Sequence, residues 1–176
     1  MKILFIALTF ALTIWEIPSI QAKTVKEEKS ISILSDNIVN FTFLNKKIAS
    51  GGRVTTEGLA ALEQDGFTTI IDLRTPEEGV SEEQENAKKL GLEHHNIPVT
   101  GKGISDAQLE SFIHVINNAD NGKILVHCAS GNRVGAMWAR YRLQQGASLD
   151  IAVKEGRKAG MRKSLEQTVR DSCKNC

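Results

Sequence analysis

Aromatic residues are scarce in this 176-residue sequence: they make up 5 % of it, so no stacking platform for nucleic acid or sugar is evident. An excess of one charge is also missing, because 22 basic residues stand against 21 acidic ones. This balance argues against the broad basic surface with which proteins bind nucleic acid. We therefore expect no nucleic-acid partner. The length and the apolar content of 41 % indicate a single globular domain.

Long apolar runs are confined to the N-terminus. Lys2 gives a positive start, residues 3–15 form a run without charge, and a polar exit ends at Ala22. This pattern predicts a signal peptide over residues 1–22, cleaved after Ala22, and export to a bacterial periplasm. The alternative is an uncleaved membrane anchor, but the run is shorter than the ~20 residues that span a bilayer. We therefore expect a domain that is not stably inserted in a membrane after cleavage.

The remaining sequence alternates between strand and helix patterns. Residues 23–39 are predicted to be an N-terminal leader, of which the charged residues 23–30 are expected to be loose, and residues 40–172 the folded domain. Strands are predicted at 40–44, 47–50, 68–73, 93–99 and 123–127, and helices at 55–65, 81–90, 105–116, 134–145, 148–160 and 161–169. Such alternation is typical of an α/β fold. We expect one domain with a mainly parallel central sheet flanked by helices.

Residues 128–133, which we call the cysteine loop, combine several features of an anion-binding site. The loop follows a buried strand, where open α/β sheets place their ligand crevices, and it leads directly into a helix. The N-terminus of a helix attracts anions and stabilises a thiolate, so we expect Cys128 to be a nucleophile. Gly131 permits a tight turn, and the planar fork of Arg133 can hold two oxygens of a tetrahedral anion. The predicted anion-binding residues are Ala129, Ser130, Gly131, Asn132 and Arg133. The alternative is an inert buried cysteine beside a surface arginine.

The segment at residues 126–136 resembles the phosphate-binding loop of the cysteine-dependent phosphatase superfamily. Residues 51–55, 69–74 and 97–100 are also similar to that group, and the resemblance covers about residues 40–170. The most similar group is the phosphatase-like domain of beta-lactamase-hydrolase-like proteins, which are also described as candidate sulfur transferases. The resemblance implies a dual-specificity-phosphatase-like fold, a phosphoenzyme on Cys128 and phosphate binding by Arg133. It also implies that His127 helps to tune the thiol.

Two departures from that superfamily leave the chemistry open. Four residues separate Cys128 from Arg133, whereas these phosphatases usually have five, and four is the spacing of rhodanese-type sulfur transferases. Val134 follows the arginine where many of these phosphatases have a serine or threonine that helps the thiol to leave. The leading hypothesis is a hydrolase of phosphate monoesters that acts on a phosphorylated small molecule or a phosphoprotein. The alternatives are a sulfur transferase that takes sulfane sulfur on Cys128, and a non-catalytic anion-binding module.

A phosphatase of this kind needs an acid to protonate the leaving oxygen. Asp106 is the carboxylate in the loop after the predicted fourth strand, so it is the candidate for this role. Its alternative role is to favour the start of a helix through its charge. Asp72 and Arg74 are more simply a local structural pair, and Glu77 and Glu78 are more simply solvated loop charges.

No spacing along the chain matches a metal site, so we expect neither a metal nor another cofactor. His94 and His95 lie near the predicted fourth strand, and one of the two is expected to face outward.

The last four residues, 173–176, form a Cys-x-x-Cys tail. In an exported protein, Cys173 and Cys176 could form a disulfide or a redox pair. The favoured interpretation is a frayed terminal pair without a catalytic role. The sharper alternative is that one of them resolves an oxidised or persulfidated Cys128.

Overall fold

The computed structural model describes the backbone of residues 17–173 and the side chains of residues 22–173. Five strands lie in this range: β1 (Thr42–Phe43), β2 (Ile48–Gly51), β3 (Phe67–Asp72), β4 (Glu93–Asn96) and β5 (Lys123–His127). The described range also contains seven helices: α1 (Ile17–Asn37), α2 (Thr56–Gln64), α3 (Val80–Lys89), α4 (Asp106–Asn118), α5 (Asn132–Gln144), α6 (Leu149–Lys158) and α7 (Lys163–Ser172). A short 3₁₀ helix, Pro76–Glu78, follows β3.

The strands form one sheet in the order β1-β2-β5-β3-β4. The β1–β2 pair is antiparallel, and the other three pairs are parallel, so the predicted α/β fold with a mainly parallel sheet is confirmed. β5 lies at the centre. Its last residue, His127, is level with Gly51 of β2 and with Asp72 of β3. The residues that follow these three strands therefore meet at one edge of the sheet.

Each face of the sheet has its own core, because successive strand residues point to opposite faces. Val126 packs in a cluster with Phe112 of α4 and Met137 of α5. Its neighbour Leu125 packs in a second cluster with Leu59 of α2. Burying an aliphatic or aromatic side chain of this size contributes roughly 1.5–3 kcal/mol. The central strand is thus held from both sides, and so is the loop that follows it.

Several helices begin where the sequence predicts them to begin. The hydroxyl of Thr55 accepts a hydrogen bond of 3.0 Å from the backbone N–H of Gly58 at the start of α2. Before α4, the Ser105 N–H donates to the side chain of Gln108 at 2.8 Å, and the Gln108 N–H donates to the Ser105 hydroxyl at 3.3 Å. The hydroxyl of Ser148 caps α6. These bonds satisfy N–H groups that no residue within the helix can reach.

Helices α5 and α6 approach each other closely through glycine. A Cβ atom added at Gly135 would lie 2.3 Å from the carbonyl oxygen of Gly156, which no side chain could tolerate. The two helices can therefore touch through their backbones. This contact fixes the first turns of α5, which carry Arg133.

The predicted leader is more ordered than its composition indicates. Residues 17–37 form α1, and Leu34 and Ile38 at its C-terminal end are almost fully buried in the α2 face of the core. The segment expected to be loose, residues 23–30, lies within α1, and apolar side chains in the second half of the leader belong to the core. Most of the predicted signal peptide, residues 1–16, lies outside the described residues. Within residues 17–173, no helix combines the length and the apolar character needed to cross a membrane.

Candidate active site

The cysteine loop lies between the C-terminal end of β5 and the N-terminus of α5. Cys128 is 1 % exposed, and its backbone N–H donates to the carbonyl of Gly51 at 3.3 Å. The helix begins at Asn132, and Gly131 precedes it with φ of +86°, a conformation that strongly favours glycine. Ala129 and Ser130 are half-buried, so this part of the loop reaches the surface. The predicted strand, loop and helix are therefore all present in the predicted order.

The end of β2 supports the cysteine loop from one side. Gly52 forms a β-bridge with Ser130, and the N–H of Arg53 donates to the carbonyl of Ala129 at 3.3 Å. A Cβ atom at Gly52 would lie 2.9 Å from both the Ala129 carbonyl oxygen and the Cα of Ser130. The Asn40 side chain donates to the Ser130 carbonyl at 3.2 Å. Glycine at position 52 thus allows the two backbones to come this close.

The thiol of Cys128 lies in a positive environment. The backbone N–H of Gly131 donates to Sγ at 3.2 Å. Arg133, in the first turn of α5, is attracted by Glu78 and by Cys128. Its hydrogen bonds with Glu78 and these attractions outweigh burial, so that its pKa is raised above the ordinary value. The structure therefore brings Cys128, Gly131 and Arg133 together as the sequence predicts.

Glu78 is the functional residue that the sequence interpretation missed. Its two carboxylate oxygens each accept a 2.7 Å bond from Arg133, one from Nη1 and one from Nη2. Nη1 also donates to the carbonyls of Leu73 and Val99, at 3.2 Å and 3.0 Å. Arg133 lowers the pKa of Glu78 to about 2, although burial opposes this, and N–H and O–H bonds from Thr75 add to the effect. Glu78 is thus a positioning residue for Arg133 and not the solvated loop charge that was expected.

A signal for Glu78 does exist in the sequence. Thr75, Pro76 and Glu78 stand at the first, second and fourth positions of a pattern that starts short helices. That helix follows β3, whose end lies next to the end of β5. A carboxylate fixed there is within reach of the cysteine loop.

Asp106 lies at the start of α4, and its side chain faces Arg140 of α5. Its carboxylate accepts a 2.7 Å bond from Nη2 of Arg140, and the side chain is 87 % exposed. Arg140 follows Arg133 by seven residues on α5, which is about 10 Å along the helix axis. The described contacts of Asp106 therefore do not include the cysteine loop, and its role as an acid stays a prediction.

Asn132 serves the fold through its side chain. Its Oδ1 accepts a 2.7 Å bond from the backbone N–H of Arg162, the residue that precedes α7. The predicted contribution of Asn132 to anion binding then depends on its backbone N–H alone.

Behind the cysteine loop lies a buried group of charged side chains, which we call the polar cluster. Its members are Asp72, Arg74, Glu83, His94 and His127, and the first four come from β3, the turn after it, α3 and β4. Arg74 forms a bidentate pair with Asp72 through Nε and Nη2, and Nη2 also lies 2.8 Å from Glu83 Oε2. The expected local pair of Asp72 and Arg74 is therefore present, but it belongs to a larger assembly.

The two histidines turn towards Glu83 from β4 and β5, the strands on either side of β3. Nε2 of His127 lies 2.8 Å from Glu83 Oε1, and Nε2 of His94 lies 3.3 Å from the same oxygen. Burial raises the pKa of Glu83, but the imidazoles and Arg74 outweigh it and lower that pKa to about 2. His95 has a 40 % exposed side chain, which confirms that one of the two adjacent histidines faces outward.

Cys173 is disulfide-bonded, whereas Cys128 is a free thiol, so the disulfide does not involve the cysteine loop. Residues 174–176, which include Cys176, lie outside the described residues. A resolving role for the tail stays a hypothesis.

Comparison with known proteins identifies the family. A family model described as DSP-PTPase phosphatase fused to NAD+ kinase matches residues 21–172. The chain belongs to this family. The predicted resemblance to dual-specificity phosphatases is thereby confirmed, and membership supports a phosphatase-like hydrolase.

Individual proteins similar to this chain agree with the family. A beta-lactamase hydrolase-like protein of Xylella fastidiosa is 32 % identical over 101 residues, which are 54 % of this chain and 23 % of that protein. The matching segment thus spans about a quarter of that relative's length.

Solved structures show the same fold. A DUF442 protein of Shewanella putrefaciens matches with a TM-score of 0.65 and 17 % identity, over 80 % of this chain and 95 % of its own. The core catalytic domain of the PP-IP phosphatase SIW14 from S. cerevisiae, in complex with citrate, matches with a TM-score of 0.64 and 23 % identity. It is covered over 85 % of its length, and this chain over 76 %.

Proposed function

We propose that this protein is a cysteine-dependent phosphatase that hydrolyses phosphate monoesters through Cys128. The observation that carries the proposal is the arrangement of Arg133. Glu78 holds the guanidinium by two bonds at the first turn of α5, while Arg133 interacts electrostatically with Cys128. These bonds use Nη1 and Nη2, so Nε–H remains for a phosphate oxygen, together with backbone N–H groups of the cysteine loop.

The reaction proceeds in two displacements. Sγ of the Cys128 thiolate attacks phosphorus, and the bond from phosphorus to the leaving oxygen breaks, with its electron pair going to that oxygen. Water then attacks the phosphocysteine, which releases inorganic phosphate, returns the thiolate and gives up one proton to the solvent. Arg133 stabilises the negative charge on the equatorial oxygens in both transition states.

The placement of the acidic side chains favours particular leaving groups. Glu78, the carboxylate in contact with Arg133, has a pKa of about 2 and so carries no proton at neutral pH. Asp106 is ion-paired with Arg140. We therefore propose that the preferred substrates are aryl phosphates and phosphoanhydrides, whose leaving oxygens depart as stable anions without a donated proton.

The test is hydrolysis of a series of aryl phosphates by the purified protein. We expect Cys128→Ser to lower kcat/KM by about a thousandfold or more, because the nucleophile is lost. Arg133→Lys keeps the charge but loses the planar fork, and we expect a loss of roughly a hundredfold. Arg140→Lys, on the same helix, is the matched control and should retain most of the activity. Hydrolysis that survives Cys128→Ser would contradict the proposal.

The comparisons do not favour sulfur transfer or a purely anion-binding role. The four-residue spacing between Cys128 and Arg133 nevertheless makes sulfur transfer worth measuring in parallel. Incubation with thiosulfate and cyanide should yield no thiocyanate above the level of Cys128→Ser. Sulfur transfer without any phosphate release would replace the phosphatase proposal with the rhodanese-type reaction.

A further inference from the structure

The polar cluster has the composition and dimensions of a metal site. We propose that it binds one divalent transition-metal ion, Zn²⁺ in particular, through Asp72, Glu83, His94 and His127. The inference is independent of the proposed phosphatase activity. Each of the four side chains offers one oxygen or nitrogen, and these four atoms all lie within 4.8 Å of one another.

The separations between the ligand atoms fit tetrahedral coordination. Zn–N and Zn–O bonds of about 2.0–2.2 Å place neighbouring ligand atoms roughly 3.3–3.6 Å apart. Glu83 Oε1 lies 2.8 Å from His127 Nε2 and 3.3 Å from His94 Nε2. Oδ1 of Asp72 lies 3.6 Å from His127 Nε2, and Oδ2 of Asp72 lies 3.7 Å from His94 Nε2. Small shifts of the side chains would therefore complete the site.

The strand register explains why these ligands share a face. Asp72 of β3 and His127 of β5 are register partners, and His94 of β4 is the partner of Ile70, two residues before Asp72. In a parallel sheet, partners point to the same side, and so do residues two apart. Glu83 closes the site from α3, which packs over β4 on that side.

His127 provides an independent indication of a ligand. The residue is 0 % exposed, and among the described residues neither of its ring nitrogens has a hydrogen-bond partner of normal geometry. A buried polar group without a partner is costly. Nε2 lies 2.8 Å from Oε1 of Glu83 without the geometry of a hydrogen bond, and a metal ion bound by both groups would take the lone pair of this nitrogen. A metal ion would therefore satisfy a buried nitrogen that has no hydrogen bond of normal geometry among the described residues.

Charge and orientation also suit a cation. Two carboxylates share one arginine, so the cluster carries a negative charge that needs balance when both imidazoles are neutral. Arg74 bonds to both oxygens of Asp72 and to Oε2 of Glu83, which leaves Oε1 of Glu83 turned towards the histidines. Carboxylate ligands held from behind in this way are common around metal ions. Two imidazoles favour zinc over calcium or magnesium, which prefer oxygen ligands.

A route from solvent to the cluster is present. Arg74 and Glu83 form part of the wall of a cleft of about 260 Å³, together with Arg53, Glu78 and Asn86. Glu83 therefore lies between this cleft and the rest of the polar cluster.

The test is metal binding by the full-length protein after treatment with a chelator. Zn²⁺ is added, excess ion is removed by gel filtration, and bound zinc is measured together with the thermal midpoint of unfolding. We expect one zinc per chain and a rise in that midpoint. His94→Gln should weaken binding at least about tenfold. His95→Gln, the adjacent residue with an exposed ring, is the matched control and should bind as the unaltered protein does.

A second measurement separates this site from zinc on the thiol. Cys128→Ser should retain the zinc, and X-ray absorption should show nitrogen and oxygen ligands without the ~2.3 Å distance of a Zn–S bond. Absence of bound zinc in the unaltered protein would overturn the proposal. A sulfur ligand, or equal binding by the His94→Gln and His95→Gln variants, would also overturn it.

Discussion

His127 and Cys128 are adjacent in the sequence but belong to two different regions. Cys128 packs in the core on the α4 and α5 face and opens the cysteine loop, which uses backbone N–H groups and Arg133. His127 turns to the α3 face and joins the polar cluster, which is built from side chains. Both regions bury charge at the end of β5. The cysteine loop reaches the surface at Ala129 and Ser130. In the polar cluster, the charged side chains contact one another.

Because of this difference, we expect substitutions in the cysteine loop to affect activity and substitutions in the polar cluster to affect stability. A loop of backbone donors can lose one side chain and still fold, so substitutions there should affect activity more than unfolding. In the polar cluster each charge compensates another, so removal of one leaves the rest buried and unpaired. Glu78 connects the two regions, because it holds Arg133 and its backbone carbonyl accepts a 3.3 Å bond from Arg74.

The largest effect on stability is expected for Arg74→Met. This change leaves Asp72 and Glu83 without their cation, and breaking a buried ion pair costs about 3–5 kcal/mol. Urea denaturation in the presence of a chelator measures the change. Arg157→Met is the control, since Arg157 is 60 % exposed and its partner Glu166 keeps Arg170 as a second cation, so its loss should matter far less. Equal losses for the two variants would remove the distinction between the regions.

Glu78→Gln should reduce activity, with a smaller loss of stability than Arg74→Met because Glu78 is partly exposed. The variant keeps the size of the side chain but loses the charged bonds to Arg133. Charged hydrogen bonds contribute about 1.5–3 kcal/mol, so we expect kcat/KM to fall roughly ten- to hundredfold. Glu77→Gln alters the neighbouring carboxylate and should leave the rate near that of the unaltered protein. A Glu78→Gln variant with full activity would show that Arg133 is positioned by its carbonyl partners alone.

One carboxylate in each region, Glu78 beside the cysteine loop and Glu83 in the polar cluster, should make stability depend on pH. The pKa values of Glu78 and Glu83 are lowered from 4.5 to about 2 in the folded protein. Their contribution is therefore fully present above about pH 4.5 and is lost as the pH falls towards 2. Urea midpoints at a series of pH values measure this loss. The Glu83→Gln and Glu78→Gln variants should each give a shallower decline below pH 4.5 than the unaltered protein. An unchanged slope in both variants would contradict this assignment.

The smallest effect is expected for Asp106→Asn. Its carboxylate faces Arg140, so we expect kcat for aryl phosphates to change less than about threefold. A general acid typically contributes about 10²- to 10⁴-fold. A large loss confined to substrates with poor leaving groups would assign the acid role to Asp106 and would remove the basis for the proposed substrate preference.

The sequence predicts the fold and the cysteine loop well because both depend on local patterns. The strand at Lys123–His127, the helix caps at Thr55 and Ser105 and the loop with Gly131 all follow from neighbouring residues. The polar cluster could not be found in this way. Its residues run from position 72 to position 127, and the strand register and the packing of α3 bring them together.

Glu78 and the second half of the leader escaped prediction for a related reason. A carboxylate in a charged turn is normally solvated, and here its partner Arg133 lies 55 residues further along the chain. Residues 23–30 are strongly charged, and this composition concealed Leu34 and Ile38, which the core buries.

The most direct test of the central claim is a search for phosphate on Cys128 during turnover. The protein is mixed with an aryl phosphate and quenched in acid, and its peptides are analysed by mass spectrometry. Val134 follows Arg133 where a hydroxyl residue would help the thiolate to leave, so the intermediate should accumulate to a measurable level. We predict one phosphoryl group on the peptide that contains Cys128, and none in the Cys128→Ser variant. Continued phosphate release with Cys128 unmodified throughout turnover, or with the phosphoryl group on another residue, would contradict the account.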